Sequence, residues 1–224
     1  GTGGDFRRTL RIPVRSADAA RTLREGRTRR IDVGRVTYLN HGGAEETRYF
    51  LGVASFGIST EIIGRVKAGD SRLLPATRTG RLGGKISFAL ATAQTTLSSE
   101  KTDVIVQLDG GRERRLTVTN LCIANARYFG GGMKIAPEAK LDDGRFDVIT
   151  IGDMSALRIL TNAHKLYRGT HLEIEDVYQA RARVVSARQA RKNHKVALEI
   201  DGELPGALPA TFEILQKALR VRCA

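Results

Sequence analysis

Three Asp-Gly pairs punctuate the chain, at Asp109-Gly110, Asp143-Gly144 and Asp201-Gly202. Asp and Gly tolerate the left-handed backbone that a tight hairpin demands, so each pair predicts a turn between short extended segments. The flanking sequence agrees. Asp103 to Leu108 alternates before the first pair and Arg115 to Thr119 returns after it. Leu121 to Ala126, Phe146 to Ile151, Val177 to Ala187, Val196 to Ile200, Thr211 to Leu215 and Leu219 to Val221 are further apolar or alternating runs. Upstream, Ile31 to Leu39 and Thr47 to Phe56 flank Asn40-His41-Gly42-Gly43 and read as a hairpin with a longer loop.

Helical signals are fewer. Ser59 is placed to cap a short helix ending before Gly69, and Gly83 to Leu97 is Ala- and Leu-rich. Ser155 to Tyr167 has a capping Ser, with Gly169 just beyond its end. Residues 1–30 are loop followed by a helical or irregular basic stretch that Pro13 interrupts. About nine short strands with two or three helices, joined by hairpins rather than regular βαβ units, predict a mainly β (α+β) fold: an antiparallel β-sandwich with inserted helices.

Composition narrows the function. The formal net charge is +13 over 224 residues, which calls for an anionic partner: phosphate ligand, acidic membrane surface or nucleic acid. Aromatics are only 5% and Trp is absent, which argues against base-stacking recognition of nucleic acid. No apolar run approaches a membrane span and no signal segment opens the chain. Two cysteines are too few for a disulfide framework, and Cys122, in an apolar run, reads as a core thiol. A reducing cytoplasm is expected. The chain opens on Gly1 rather than Met, inside a glycine-rich segment, so it is expected to be the later part of a longer protein.

Taken singly, the candidate chemical groups are ambiguous. Gly1 to Asp5 and Gly130-Gly131-Gly132 can cradle phosphate or simply turn. Lys140 to Arg145, with Asp142 and Asp143 beside Gly144, can hold a hard cation or form a hairpin loop. Asp201-Gly202-Glu203 is a turn, or a carboxylate held ready as a general base. His41, His164, His171 and His194 lack metal-ligand spacing and read as structural or exposed.

In order along the chain, however, these pieces resemble the diacylglycerol kinase-like lipid kinases, which include bacterial lipid kinases and the sphingosine and ceramide kinases. Gly1 to Leu10 is similar to that family's GTxNDFAR segment, with Gly4 where Asn is usual. Ile31 to Gly34 resembles its IDxG strand. Tyr49 to Gly57 resembles F-N-x-A-S-x-G, with Gly52 at the usual Asn. Gly130 to Val148 resembles its GGGM-to-DG block, Gly169-Thr170-His171 its G-x-H, and Asp201-Gly202-Glu203 its DGE.

The resemblance implies an ATP-dependent lipid kinase that transfers the γ-phosphate to a lipid hydroxyl of diacylglycerol or sphingoid type. It implies a nucleotide-binding unit whose GGDGT segment precedes Gly1, with residues 1–30 and 208–224 as its remnants and residues 31–207 as the lipid-binding sandwich. The 224 residues alone are then expected to be inactive. Carried over by position, Thr2, Asp5 and Asp32 lie near the nucleotide, and Asp143 with the carbonyls of Lys140 and Arg145 holds Mg²⁺. Glu203 is the general base. ATP and a membrane lipid are the implied substrates.

The six basic residues Arg181, Arg183, Arg188, Arg191, Lys192 and Lys195, with no acid between 177 and 198, fit peripheral attachment to the anionic inner face of the membrane. A solvated basic face explains the same run. A homodimer stays open. The competing reading is a non-catalytic basic β-domain that binds phosphate groups or nucleic acid. A third keeps the kinase and changes the acceptor, as in the related NAD kinases; the GGGM and DG blocks favour lipid.

Overall fold

The computed structural model describes residues 4–67, 101–192 and 194–223. The expected Gly83–Leu97 helix lies outside them. Among the described residues eleven strands form a single antiparallel sheet that curls around its own core. In chain order they are β1 (Arg27–Asn40), β2 (Glu45–Phe50), β3 (Val53–Gly57), β4 (Thr102–Leu108), β5 (Arg114–Val118), β6 (Asn120–Ala124) and β7 (Phe146–Ile151). β8 (Val177–Ala182), β9 (Val184–Gln189), β10 (Ala197–Ile200) and β11 (Glu203–Cys223) follow. The order across the sheet is β5-β4-β9-β11-β10-β3-β6-β7-β8, with β1 added on β11 and β2 on β1.

The organising element is β11, which pairs with β1 along one edge and with β10 and then β9 along the other. The two expected segments Thr211–Leu215 and Leu219–Val221 are thus one 21-residue strand, kinked where Lys217 takes a left-handed backbone. Where runs fuse or split, a side chain on the main chain supplies the reason. The Thr47–Phe56 run breaks at Leu51-Gly52, whose amides are taken by Asp201. The Val177–Ala187 run breaks at Arg183, because Asp109 Oδ1 accepts from the amides of Arg183 and Val184, both at 2.8 Å. Along that run Tyr178 is exposed while Ala182 is buried.

The sheet's inner face is lined by Val36, Tyr38, Phe56, Leu121, Leu198 and Phe212, all essentially excluded from solvent. Phe50 stacks on Phe146 at 5.6 Å and meets Phe212 edge-on at 6.5 Å, both preferred aromatic geometries. Gly34, the last residue of the Ile31-Asp32-Val33-Gly34 motif, lets the Phe50 ring lie against the backbone; a Cβ there would overlap it. β3 and β6 are buried on both faces, which is why their sequences are continuous apolar runs rather than alternations.

Helices cover the outside. α1 (Asp5–Thr9) and α2 (Ser16–Glu25) account for the basic opening stretch, and α3 (Ile58–Lys67) follows β3 directly. Ser59 is not the cap of α3. It lies inside the helix, and Asn120 Oδ1 accepts its amide at 3.1 Å. α4 (Ala156–Arg168) is capped as expected: Ser155 Oγ accepts from the Arg158 amide and Gly169 ends the helix left-handed. α4 packs Ile159 and Leu166 onto a second cluster built from Val53, Cys122 and Ile149. Both cysteines are free and buried, and burial pushes the Cys122 thiol pKa up. Among the described residues no helix is long and apolar enough to cross a membrane.

Candidate active site

β10 and β11 meet at the two-residue turn Asp201-Gly202, both left-handed (φ 48° and 89°), as in a type I′ hairpin. Glu203, the first residue of β11, is exposed. It forms part of the wall of a cleft of roughly 380 Å³ together with Asn40, His41, Glu46 and Arg48. His41 Nε2 donates to the Leu204 carbonyl at 2.9 Å, tying the β1–β2 loop to the residue after Glu203. Hydrogen bonds from Tyr38 and then Arg48 hold the Glu46 carboxyl below its ordinary range, so this wall carries a settled negative charge beside a guanidinium.

The Asp201 side chain does not face the cleft. Its Oδ2 accepts from Leu51 N at 2.9 Å, and its Oδ1 from Gly52 N at 2.9 Å and Val53 N at 3.0 Å. Crowding by this loop pushes the Asp201 carboxyl upward, with the three amides pulling it back. A Cβ on residue 52 would overlap Asp201 Oδ1. Gly52, which departs from the motif it resembles, is therefore what the local geometry requires.

From this loop a hydrogen-bonded path runs to the Asp143 turn. The Leu51 carbonyl accepts from Asn125 Nδ2 at 3.0 Å, and the same Nδ2 donates to the Asp32 carbonyl at 3.1 Å. Asp32 is fully buried. Its Oδ2 accepts from Gly144 N and its Oδ1 from Lys217 N, both at 2.7 Å, while its own amide donates to the Leu141 carbonyl. Asp32 thus fastens the Lys140–Arg145 loop and the kink of β11 to β1.

Asp143 itself accepts from Arg145 N at 3.1 Å and pairs with Arg181. Asp142 pairs with Arg29 at 2.9 Å. Among the described residues no three His, Cys, Asp or Glu side chains gather around a point. Carboxylate and main-chain carbonyl oxygens, such as those of Asp143, Lys140 and Arg145, are donors of the kind hard cations take. In this structure the Asp143 carboxylate is engaged by Arg181.

Asp5 opens α1, and its Oδ2 accepts from Gly131 N at 2.8 Å while Arg8 pairs with Oδ1. Gly130, Gly131 and Gly132 are all left-handed, which turns the Gly131 amide toward that carboxylate. Thr2 lies outside the described residues. The G-x-H segment braces the same region. His171, buried, donates through Nε2 to the Ile135 carbonyl at 2.9 Å, and Gly169 packs under Lys134 and Pro137.

The structure therefore joins Asp32, the Asp143 loop and the Asp201 turn through one network, and holds Asp5 against the glycine loop. Sequence reasoning missed three contributors: Asn125, which bridges the two loops, Arg181, which holds Asp143, and Glu199, considered below. Asn125 and Glu199 are polar residues at the ends of apolar runs, a signal that was visible. Arg181 was grouped with a basic run, and only its pairing sets it apart.

A family model described as the YegS C-terminal NAD kinase beta sandwich-like domain matches residues 64–223. A diacylglycerol kinase of Bacillus subtilis (strain 168) is 27% identical over 223 residues, covering 99% of this chain and 66% of its own length. One of Mycobacterium tuberculosis (strain H37Rv) is 27% identical over 222 residues, with the same coverage. The chain thus spans just under two thirds of these relatives. A crystal structure from Bacillus anthracis (strain Sterne) superimposes with TM-score 0.68 at 22% identity, over 100% of this chain and 66% of that one. Another, of a diacylglycerol kinase from the same strain, gives 0.64 at 19%, over 100% and 64%. The fold agrees with both, and the chain belongs to the family of YegS C-terminal NAD kinase beta sandwich-like domains.

Proposed function

We propose that the protein is an ATP-dependent lipid kinase in which Glu203 is the general base. The observation that carries this reading is Glu203 at the exposed start of β11, beyond a clamped turn, in the wall of a polar cleft. The relatives' name, diacylglycerol kinase, supports the class.

Glu203 accepts the proton of the lipid hydroxyl as that oxygen bonds to the γ-phosphorus, and the bond from phosphorus to the β–γ bridging oxygen breaks to release ADP. Such transfers depend on positioning and charge stabilisation more than on covalent chemistry from the protein. Residues 1–30 and 208–224 then belong to the nucleotide-binding unit, the latter segment also lending Leu208, Ala210, Phe212 and Ile214 to the core of the sandwich, with Thr2, Asp5 and Asp32 on the nucleotide side. Asp32 acts through the main chain that it holds. Asp143 and the carbonyls of Lys140 and Arg145 would hold Mg²⁺, which supplies positive charge and stiffens the loop.

Attachment to an anionic inner membrane face completes the reading. Arg181, Arg188 and Arg191 are engaged by Asp143, Glu113 and Asp103, so the electrostatic hold is weaker than the count of six bases implies. Basic residues near such a surface contribute up to about 1 kcal/mol each. Co-sedimentation with neutral and anionic vesicles across a salt series measures it, and equal binding to both removes it.

The central test is Glu203→Gln in the natural full-length protein, with labelled ATP and a panel of lipid alcohols. A positioned base accounts for about 10²–10⁴-fold in rate, and loss on that scale is expected. Unchanged turnover removes Glu203 from the mechanism. Salt-sensitive nucleic-acid binding without any lipid or ATP turnover points instead to the non-catalytic basic domain.

A further inference from the structure

Glu199 is a carboxylate in a place where strands carry apolar side chains. It sits in β10 opposite Ser55 of β3, between the buried Leu198 and Ile200, and is only 4% exposed. Burying a carboxylate is costly unless hydrogen bonds compensate it. Glu199 has such bonds on both oxygens. Oε2 accepts from Ser55 Oγ, which is 2.8 Å from Ser59 Oγ. Oε1 accepts from the Gly202 amide at 2.6 Å.

That second bond is the consequential one, because Gly202 is the residue immediately before Glu203. The turn is held from two sides: Asp201 reaches outward to the amides of residues 51–53, and Glu199 reaches up from the core to Gly202. We propose that Glu199 is a positioning residue for the Asp201-Gly202-Glu203 turn, fixing the direction in which the Glu203 carboxylate leaves β11. The proposal rests on the reading of Glu203 as the general base. Glu199 is buried and reaches the site through the Gly202 amide. Its effect is geometric, and a misplacement of about 1 Å in a reacting group can cost roughly 10²-fold in rate.

The test has a structural and a kinetic arm. Amide exchange at Gly202, followed by NMR, is expected to accelerate at least about tenfold in Glu199→Ala, since an unbonded turn amide loses that protection. Glu199→Gln keeps an acceptor oxygen for Gly202 and is expected to restore most of the protection. In the full-length protein, Glu199→Ala should lower kcat about 10–100-fold with KM for ATP and lipid within about twofold, and Glu199→Gln should recover to within about threefold of wild type. If Glu199→Ala does not fold, Ser55→Ala removes the other anchor of the same carboxylate and should act in the same direction, about threefold.

Gly202 exchange that ignores Glu199 overturns the proposal, as does faster exchange with unchanged kcat. Glu203→Gln runs alongside. If it leaves turnover intact, the base assignment has failed and the positioning role falls with it. If it abolishes turnover while the Glu199 variants do not alter it, the positioning role alone has failed.

Discussion

Replacing Gly52 with alanine tests whether the Asp201 turn is held by main-chain amides. The added methyl group would overlap Asp201 Oδ1, so the carboxylate must retreat by about 1 Å to reach van der Waals distance. The bonds from Gly52 N and Val53 N, now 2.9 and 3.0 Å, then stretch past about 3.6 Å and cease to be hydrogen bonds. Only the Leu51 amide keeps its partner. Hydrogen bonds to a charged group are worth about 1.5–3 kcal/mol, and the low end suits a turn that reaches solvent, so two lost bonds cost about 3 kcal/mol. For a chain of this size that is a fall in Tm of about 6–12 °C. Asp201→Ala removes all three bonds and should cost about 4 kcal/mol. Because both substitutions remove the same contacts, the double variant should also cost about 4 kcal/mol rather than the additive value of about 7. Urea unfolding of the four proteins, at constant m-value, gives each difference. A Gly52→Ala cost below about 1 kcal/mol, or strict additivity with Asp201→Ala, refutes the clamp.

Phe50→Ala should cost about 3–5 kcal/mol, since Phe50 is buried between Phe146 and Phe212 and the strands around it cannot close the void; a smaller loss in urea unfolding would mean that the core collapses there. Burial holds His171 below its ordinary 6.5. Between the folded value and 6.5 the unfolded chain therefore binds a proton that the folded chain refuses, and stability falls as pH drops through that window. The stability difference between wild type and His171→Gln should shrink or reverse below about pH 6.5; a constant difference rejects the assignment. Asp147, whose buried carboxyl is shifted upward, acts in the opposite direction at lower pH and cancels between the two proteins. Arg181→Gln should strengthen Mg²⁺ or Tb³⁺ binding at the Asp143 loop about fivefold, by removing a competing half-exposed ion pair worth up to about 1 kcal/mol. Unchanged lanthanide luminescence titrations would separate that pair from cation binding.

Local signals were sufficient for the elements with clean boundaries. The Asp109-Gly110 hairpin, the Ser155 cap and the Gly169 stop all appear as expected, because each is decided by two or three neighbouring residues. Boundaries set by distant partners were not legible. Nothing near Leu51 says that a carboxylate 150 positions away interrupts the strand there. Nothing near Arg183 announces Asp109. β11 looks like separate segments in the sequence, but β1 pairs along one edge of it from Gly206 to Cys223 while β10 and β9 take successive parts of the other edge, and its continuity belongs to the sheet. Site residues divide similarly. The motif order singled out Asp5, Asp32, Asp143 and Glu203. Their joining through Asn125, and the carboxylate of Glu199 behind the turn, depend on which strands become neighbours.

The motif aspartates share one physical task. Asp5 accepts from Gly131, Asp32 from Gly144 and Lys217, Asp143 from Arg145, and Asp201 from residues 51–53. Most of these acceptors reach main chain far away in sequence, at turns whose amides have no strand partner to satisfy them. Asp suits this work because its short side chain presents an ionised acceptor close to the backbone with few rotamers to fix. Glycine then recurs beside aspartate because amides gripped this closely sit on turned or crowded backbone. Such a series encodes where loops meet, and chemistry must come from a residue placed beyond that scaffold. Glu203 has that position: one residue past the clamped pair, longer by a methylene than the aspartates, and at the exposed start of a strand whose other end is anchored on β1. A scaffold of this kind tolerates changes to what lies in the cleft far better than changes to the amides that hold its turns, so Gly52 and Glu199 should prove less replaceable than His41 or Arg48.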